Sequence, residues 1–332
     1  VPLSSVAPGF TNGYAQQWNF NVQREIIKDF VLTAAYVGTK GTHLEIPEEI
    51  NGAPYIPGNC SAGQYGLTAP GPCSTSGNIN QRRIYQPFSL IETLESNGNS
   101  TYHALQVTLK KRFAAGYSIL SSYTFSKFID MTADDGHGST SSLATDPFNW
   151  SYDRGIADNN RTHRLTTSFI WQVPGFSHAH GLRNVLLAGW QLNGIVLLQS
   201  GAPFSVLAGV NRSLSGGAGD RADLIGPGPV TIYGDVSKYF DTSRFALPAL
   251  GTFGTAGRNI LTGPGYADLD ASAFKSFHTT ESTSLTFRWE VFNLLNHANF
   301  GNPNGTFSSS AFGRITSARD PRIMQAALKF VF

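Results

Sequence analysis

The sequence predicts an all-β fold, an antiparallel transmembrane β-barrel with long extracellular loops and short periplasmic turns. Three observations predict it. Segments of about ten residues alternate between bulky apolar and polar side chains, their connections alternate between brief and long, and the chain closes on "RIMQAALKFVF", with Met324, Ala326, Leu328 and Phe330 in one register. A tilted strand crossing hydrocarbon needs about 9–11 residues, whereas soluble strands run to about five or six.

Composition agrees. Of 332 residues only 14% are charged, well below the roughly one quarter usual in soluble domains. Net charge is +2 and there is no Lys/Arg run, so the chain lacks the footprint of a nucleic-acid partner. The apolar run Gly194–Leu198 is too short for a spanning helix, which needs about 20 residues. A closed barrel has no such need, because its backbone is satisfied between strands and only alternate residues must be apolar.

Nine spanning strands are expected, starting near Tyr14, Phe30, Thr101, Tyr117, Thr162, Ala188, Ala267, Ser284 and Arg322. The first sets Trp18, Phe20 and Val22 against Asn19, Asn21 and Gln23, and the third sets Leu105, Val107 and Leu109 against Gln106, Thr108 and Lys110. In the fourth, Tyr117, Tyr123 and Phe125 oppose serines and Thr124; in the fifth, Leu165, Phe169 and Trp171 oppose Arg164, Thr166 and Gln172. The sixth offers Trp190, Leu192, Val196 and Leu198, although Ile195 and Leu197 interrupt its polar face. The eighth sets Leu285, Phe287, Trp289 and Val291 against Thr286, Arg288 and Glu290, which assigns Arg288 and Glu290 to the lumen and Phe287 to lipid near mid-membrane. Trp18, Trp171, Trp190 and Trp289 are all expected to point outward. Residues 114–116 and 278–283 are brief turns, while 39–100, 129–161, 201–266 and 296–321 are long loops rich in Gly, Pro, Asn and Ser. An odd strand count conflicts with the even numbers of single-chain bacterial barrels. Together with a start at Val1 and no export signal, it predicts that residues 1–332 are the carboxy-terminal part of a larger barrel, with free edges at its first and last strands.

"YFDTSRFALPALGTFGTAGRNILTGPGYADLDASAFKSF" and "LTFRWEVFNLLNHANFGNP", supported by "CSAGQYG", "NINQRR", "NSTYHALQVTLKKRF", "SYTFSK", "NRTHRL" and "GWQLNGIVLLQSGAPF", carry a further expectation. These stretches resemble the carboxy-terminal barrel of TonB-dependent outer-membrane receptors, especially the Oar-like group with an amino-terminal carboxypeptidase-regulatory-like domain. The resemblance implies a 22-stranded barrel in the bacterial outer membrane, filled by a plug and energised through a motif near the amino terminus. Plug, motif and regulatory-like domain are absent from this sequence, so the TonB complex would be reached only through the missing region. It also implies active uptake of a scarce solute, with siderophores, oligosaccharides and peptides all open, and outer-membrane lipid and the barrel-assembly machinery as partners. Gln325, Ala327, Phe330 and Phe332 resemble the terminal signal which that machinery reads; Ala327 departs from the more usual Gly.

Local features are mostly structural in expectation. Cys60 and Cys73 lie in an outer loop, where a disulfide closing about 15 residues contributes roughly 3 kcal/mol. Two thiols, with His43 and His103 distant, do not make a metal site. Asp130, Asp134 and Asp135 in "DMTADDGHG" lack the alternating acids and distal Glu of a calcium loop, so a solvated acidic loop is the better reading. "SGGAGDRAD" has no strand-loop-helix around it to make a phosphate cradle. Asn293 and Asn296 are expected to end a strand and shape a loop. No nucleophile elbow is present, so neither an enzyme nor a cofactor is expected. The alternatives are a rim hydrolase built on "DMTADDGHGST", and a structural or adhesive barrel. Candidate ligand contacts lie in loops 129–161 and 201–266, where Trp150, Tyr152 and Tyr233 could stack on a sugar or chelate.

Overall fold

The computed structural model describes residues 3–131, 143–174, 188–217, 219–278 and 283–332. Among the described residues one sheet of 11 strands contains nine that follow each other in chain order. They are β1 (Tyr14–Ile27), β2 (Phe30–Glu49), β3 (Ile91–Ala114), β4 (Tyr117–Asp130), β5 (His163–Gln172), β6 (Trp190–Gln199), β7 (Tyr266–His278), β8 (Ser284–Phe292) and β9 (Ile323–Val331). Every pair along this path is antiparallel.

Register decides which side chains share a face. Trp171 pairs with Leu192, Leu192 with Ala273, and Ala273 with Trp289. Trp190 pairs with Lys275, and Lys275 with Phe287. Further along the same face Phe20, Tyr36, Leu105, Phe125 and His163 form one cross-strand row, His163 standing an even number of residues from Trp171 on β5, and Trp18 lies two residues before Phe20. The four tryptophans therefore occupy one face, the apolar one. Arg288 and Glu290 sit on the other, with Asn193, Gln199 and Ser272. Gly38 matters here, because a Cβ would come within 2.3 Å of the Trp18 ring that covers it.

Turns at the short end follow from local chemistry. Ala115 and Gly116 both have positive φ, 52° and 82°, as a two-residue hairpin loop matched to strand twist requires. At the Lys28-Asp29 turn, Asp29 N–H donates to the Glu25 carboxylate at 2.9 Å. Two lysines nonetheless stand on the apolar face near this end. Lys111 Nζ lies 3.8 Å from the Tyr117 ring centroid and donates to the carbonyls of Arg112, Ala114 and Tyr117 at 3.1, 2.8 and 3.2 Å. Lys275 donates to the Ala188 carbonyl and packs against Trp190 and Phe277. Each charge is carried by its stem back to the turn, the snorkelling expected of lysine at an interface.

Two expectations are corrected. Residues 39–100 are not one loop, because β2 and β3 stay paired to Glu49 and Glu92 beyond register shifts at Gly41 and Leu44. This outer extension also takes a short parallel strand, Leu3–Val6, against Ile91–Leu94. Connections do not alternate strictly in length either, since residues 173–189 join β5 to β6 at the short-turn end. Phe287 shares its row with Trp190, the first residue of β6, and stands one residue to the short-turn side of the middle of β8. Among the described residues β1 and β9 each have a single long neighbour, so both outer edges of the sheet are open.

Facing and depth give a graded prediction for the full-length protein refolded into lipid vesicles. Val196→Arg, mid-strand on the outward face, should cost about 2–4 kcal/mol, Phe287→Arg less, and Arg288→Gln least. Equal costs for all three would show that the faces are misassigned.

Candidate functional site

Above the outer end of the sheet the loops build a core of their own. Phe204, Val206, Tyr239, Phe240, Phe245 and Leu261 are buried together, with Phe240 fully inaccessible. Its ring meets those of Phe204, Phe245 and Phe312 at centroid distances of 5.8, 5.7 and 5.4 Å. Burying one such side chain is worth about 1.5–3 kcal/mol. Short antiparallel pairs, Pro203–Phe204 with Leu261–Thr262 and Asp223–Leu224 with Phe245–Ala246, satisfy nearby backbone. Loop 200–265 thus folds on itself, helped by bonds from residues 304–315.

Buried ion pairs join this core to the loop after β4. The Arg221 guanidinium pairs with Asp153, donates to the carbonyls of Ala256 and Tyr152 at 2.8 and 2.7 Å, and lies 3.6 Å over the Tyr152 ring. Arg258 pairs with Asp130 and, at 2.8 Å, with Asp158. Asn259 donates from one amide nitrogen to Asp158 at 2.6 Å and to the Ile156 carbonyl at 2.7 Å. Asp220 closes the glycine-rich "SGGAGDRAD" segment by accepting from the backbone of Arg212 and Ser213. Between these groups lies a cavity of about 410 Å³, lined by Trp150, Asp153, Phe204, Arg221, Arg258 and Asn259 among others. A second hollow, of about 460 Å³, opens on the inner face at the outer end of β3, β4 and β5, with Tyr102, Gln106, Thr124, Arg161 and Arg164 in its wall.

The three aromatic candidates are not brought together. Trp150 is 43% exposed at the cavity rim. Tyr152 instead serves the structure: its hydroxyl donates to the carbonyls of Phe253 and Gly254, and burial pushes it up to about 12. Tyr233 lies outside the cavity, with Lys238 Nζ 4.7 Å from its ring. Cys60 and Cys73 are joined in a disulfide. Beside it the "NINQRR" stretch supplies Arg82, which donates to the carbonyl of Leu214 at 2.7 Å, and Arg83, which pairs with buried Glu49 at 3.1 Å. Asp130 of the acidic stretch is occupied by Arg258, whereas Asp134 and Asp135 lie outside the described residues. Arg288 and Glu290 pair at 3.2 Å, and Gln325 donates to the same carboxylate. Ala327 stands beside Arg288 on the inner face, while the rings of Phe330 and Phe332 stack 6.0 Å apart.

Arg221, Arg258, Asp153 and Asn259 escaped the sequence reading. The carboxylate contacts among them span 68 to 128 positions, so no local spacing announces them. Glu48 escaped too. Its carboxylate is buried in the outer extension of β2, with neither oxygen hydrogen-bonded among the described residues, and burial followed by the charge of Glu95 raises it to about 8.

The outer membrane beta barrel domain is the family whose pattern this chain matches, over residues 1–325. The chain belongs to that family. It is therefore an outer-membrane β-barrel sequence, and its apolar face is the lipid face. No curated protein matches it in sequence. Among solved structures, the outer membrane transporter YddB from Escherichia coli aligns with 98% of this barrel chain and 34% of its own, at 9% identity and a TM-score of 0.48. The ferric-catecholate import receptor Fiu from K12 E. coli aligns with 98% and 28%, at 10% and 0.44. BauA, the ferric preacinetobactin receptor from Acinetobacter baumannii, aligns with 98% and 32%, at 12% and 0.44. The barrel chain spans about a third of the length of these structures.

Two predictions concern the loop layer of the full-length protein. Arg221→Met leaves Asp153 charged and buried, which should cost about 3–5 kcal/mol; hydrogen exchange should rise across residues 200–262 and stay unchanged in β5–β8. Glu48 gives a pH dependence. Its folded carboxyl holds a proton between pH 4.5 and about 8 that the unfolded chain has lost, so the outer β2–β3 hairpin should lose stability as pH rises through that window. Glu48→Gln should abolish the slope and stabilise the hairpin at pH 8 by on the order of a few kcal/mol, read as exchange corrected for intrinsic rate.

Proposed function

We propose that the chain is the carboxy-terminal part of the wall of a TonB-dependent receptor of the Oar-like group, which takes up a scarce solute across the outer membrane. On this reading the barrel has 22 strands. The remaining strands, a plug and the regulatory-like domain belong to the preceding part of the protein, through which the TonB complex acts. One observation carries the reading: a sheet of lipid-crossing strands with both outer edges open, roofed at one end by a packed loop layer that encloses a cavity. Open edges in hydrocarbon leave peptide groups unpaired at several kcal/mol each, so further strands must flank β1 and β9. The resemblance of "YFDTSRFALPALGTFGTAGRNILTGPGYADLDASAFKSF" to the Oar-like barrel supplies the family within that class. The loop layer receives solute from outside, and the inner face, which carries polar side chains from Asn19 to Lys329, leads it past the plug.

In a strain lacking the receptor, the full-length protein should restore solute accumulation that stops when the proton gradient is collapsed. Removing residues 202–262 should abolish accumulation while leaving a heat-modifiable barrel. Residues 1–332 alone, given an export signal, should restore nothing and aggregate. A protease-resistant monomer of 1–332 that conducts solute across vesicles would overturn the proposal.

A further inference from the structure

The arginines at the outer end divide into two sets. Arg83, Arg221 and Arg258 are buried and each is matched by at least one carboxylate. Arg161, Arg164 and Arg319 have no ion-pair partner among the described residues, although they gather at one place on the inner face. Arg164 pairs in register with Gln199, and Gln199 with Tyr266, which puts Arg164 and Tyr266 two strand spacings apart, about 10 Å. Arg319 lies over that same Tyr266 ring, 5.3 Å from its centroid. Its backbone N–H donates to the Asn299 carbonyl, and Asn299 in turn clamps Ala267 of β7 through both amide atoms. Arg161 precedes β5 and is half-buried, with one guanidinium nitrogen donating to the carbonyls of Asp158 and Asn160 at 3.2 and 2.7 Å. Burial, and then the like charges of Arg164 and Arg319, push Arg161 below its ordinary value.

Arg161 and Arg164 open into the hollow of about 460 Å³ on the inner face, a volume suited to one small molecule. Apart from Phe128, its other walls are neutral and polar. Gln106, Thr124 and Tyr102 point into it, and none of the three makes a side-chain hydrogen bond among the described residues. Asp268 is not part of this wall: two residues beyond Tyr266, it accepts from the Tyr266 hydroxyl at 3.0 Å, and its other oxygen is buried with no partner among the described residues. The hollow offers forked cationic donors and neutral amide and hydroxyl groups. Guanidinium forks match the geometry of carboxylate and phosphate, and the neutral groups match hydroxyls.

We infer that this luminal hollow binds a small hydroxyl-bearing anion, a sugar acid or a sugar phosphate, with Arg161 and Arg164 on its charge and Arg319 adding to the local field. The inference rests on the transport reading for the direction from which the solute arrives. It goes further in naming the solute's chemistry and a place for it below the loop cavity.

The test uses the full-length receptor purified in detergent and calorimetric titration with four probes: glucuronate, glucose 6-phosphate, glucose and acetate. Glucuronate, glucose 6-phosphate or both should bind at least about tenfold more tightly than glucose and than acetate, and the stronger of the two identifies the charged group. The R161Q/R164Q variant should weaken that binding at least about tenfold, R161K/R164K should recover part of it, and R319Q should weaken it less. Heat-modifiability on gels checks that each variant is folded. Equal binding of charged and neutral probes, no binding of either anion, or a folded R161Q/R164Q receptor that binds as wild type would overturn the inference, the last pointing to arginines that pair with the plug. Energy-dependent uptake unaltered in R161Q/R164Q cells would likewise sink the anion site while leaving the transport reading intact. Arginine-dependent anion binding without any energised uptake would uphold the site and refute transport.

Discussion

A peptide group left without a hydrogen-bond partner in hydrocarbon costs several kcal/mol, and most of this architecture answers to that cost. It forces the chain into long antiparallel neighbours in chain order, because a strand that returns beside its predecessor pairs its backbone at once. It shapes the short turns, where positive φ at Ala115 and Gly116 reverses the chain within two residues. It also accounts for Lys111, whose ammonium collects three carbonyls around the turn it borders. The same cost makes open edges at β1 and β9 intolerable in a membrane without further strands.

Beyond the hydrocarbon the constraint changes, and so does the chemistry. Water satisfies exposed backbone there, so the loops are free to be irregular and are held instead by an aromatic core and by buried charge. Arg221 and Arg258 reach from loop 200–265 to acids at positions 130, 153 and 158, while Arg82 reaches from the disulfide-bearing loop to the Leu214 carbonyl. Three loops from different hairpins are thereby tied together. Such pairs add little net stability over a well-packed apolar alternative, yet removing one partner is costly. Their effect is to make one arrangement of the loops far better than its neighbours.

Charge on the inner face is layered. Arg161, Arg164 and Arg319 stand at the outer mouth, Asp268 and Asp270 lie on the next rows inward, and Arg288, Glu290 and Lys329 lie toward the short turns. Glu290 is held by both Arg288 and Gln325, so the Arg288 charge is balanced locally. The three arginines of the outer mouth have no such partner among the described residues, and beside walls of low dielectric an unbalanced charge acts most strongly on an approaching solute.

Alternation with a period of two was enough to read nine strands and the facing of Trp18, Trp171, Trp190, Trp289 and Arg288 from sequence, because a half-lipid, half-aqueous wall imposes that period on every strand. Loops impose no period. Nothing in the letters separated the paired outer extension of β2 and β3 from a true loop, since its register shifts at Gly41 and Leu44 break the alternation. Nor could spacing distinguish Tyr152, spent on the carbonyls of Phe253 and Gly254, from Trp150 at the cavity rim. Which arginines are neutralised, and which have no ion-pair partner among the described residues, was decided only when the fold brought Asp153 to Arg221 and Asp158 to Arg258 across 68 and 100 residues. Burial and charge balance are properties of position in space, and a sequence fixes them only through the chain's three-dimensional path.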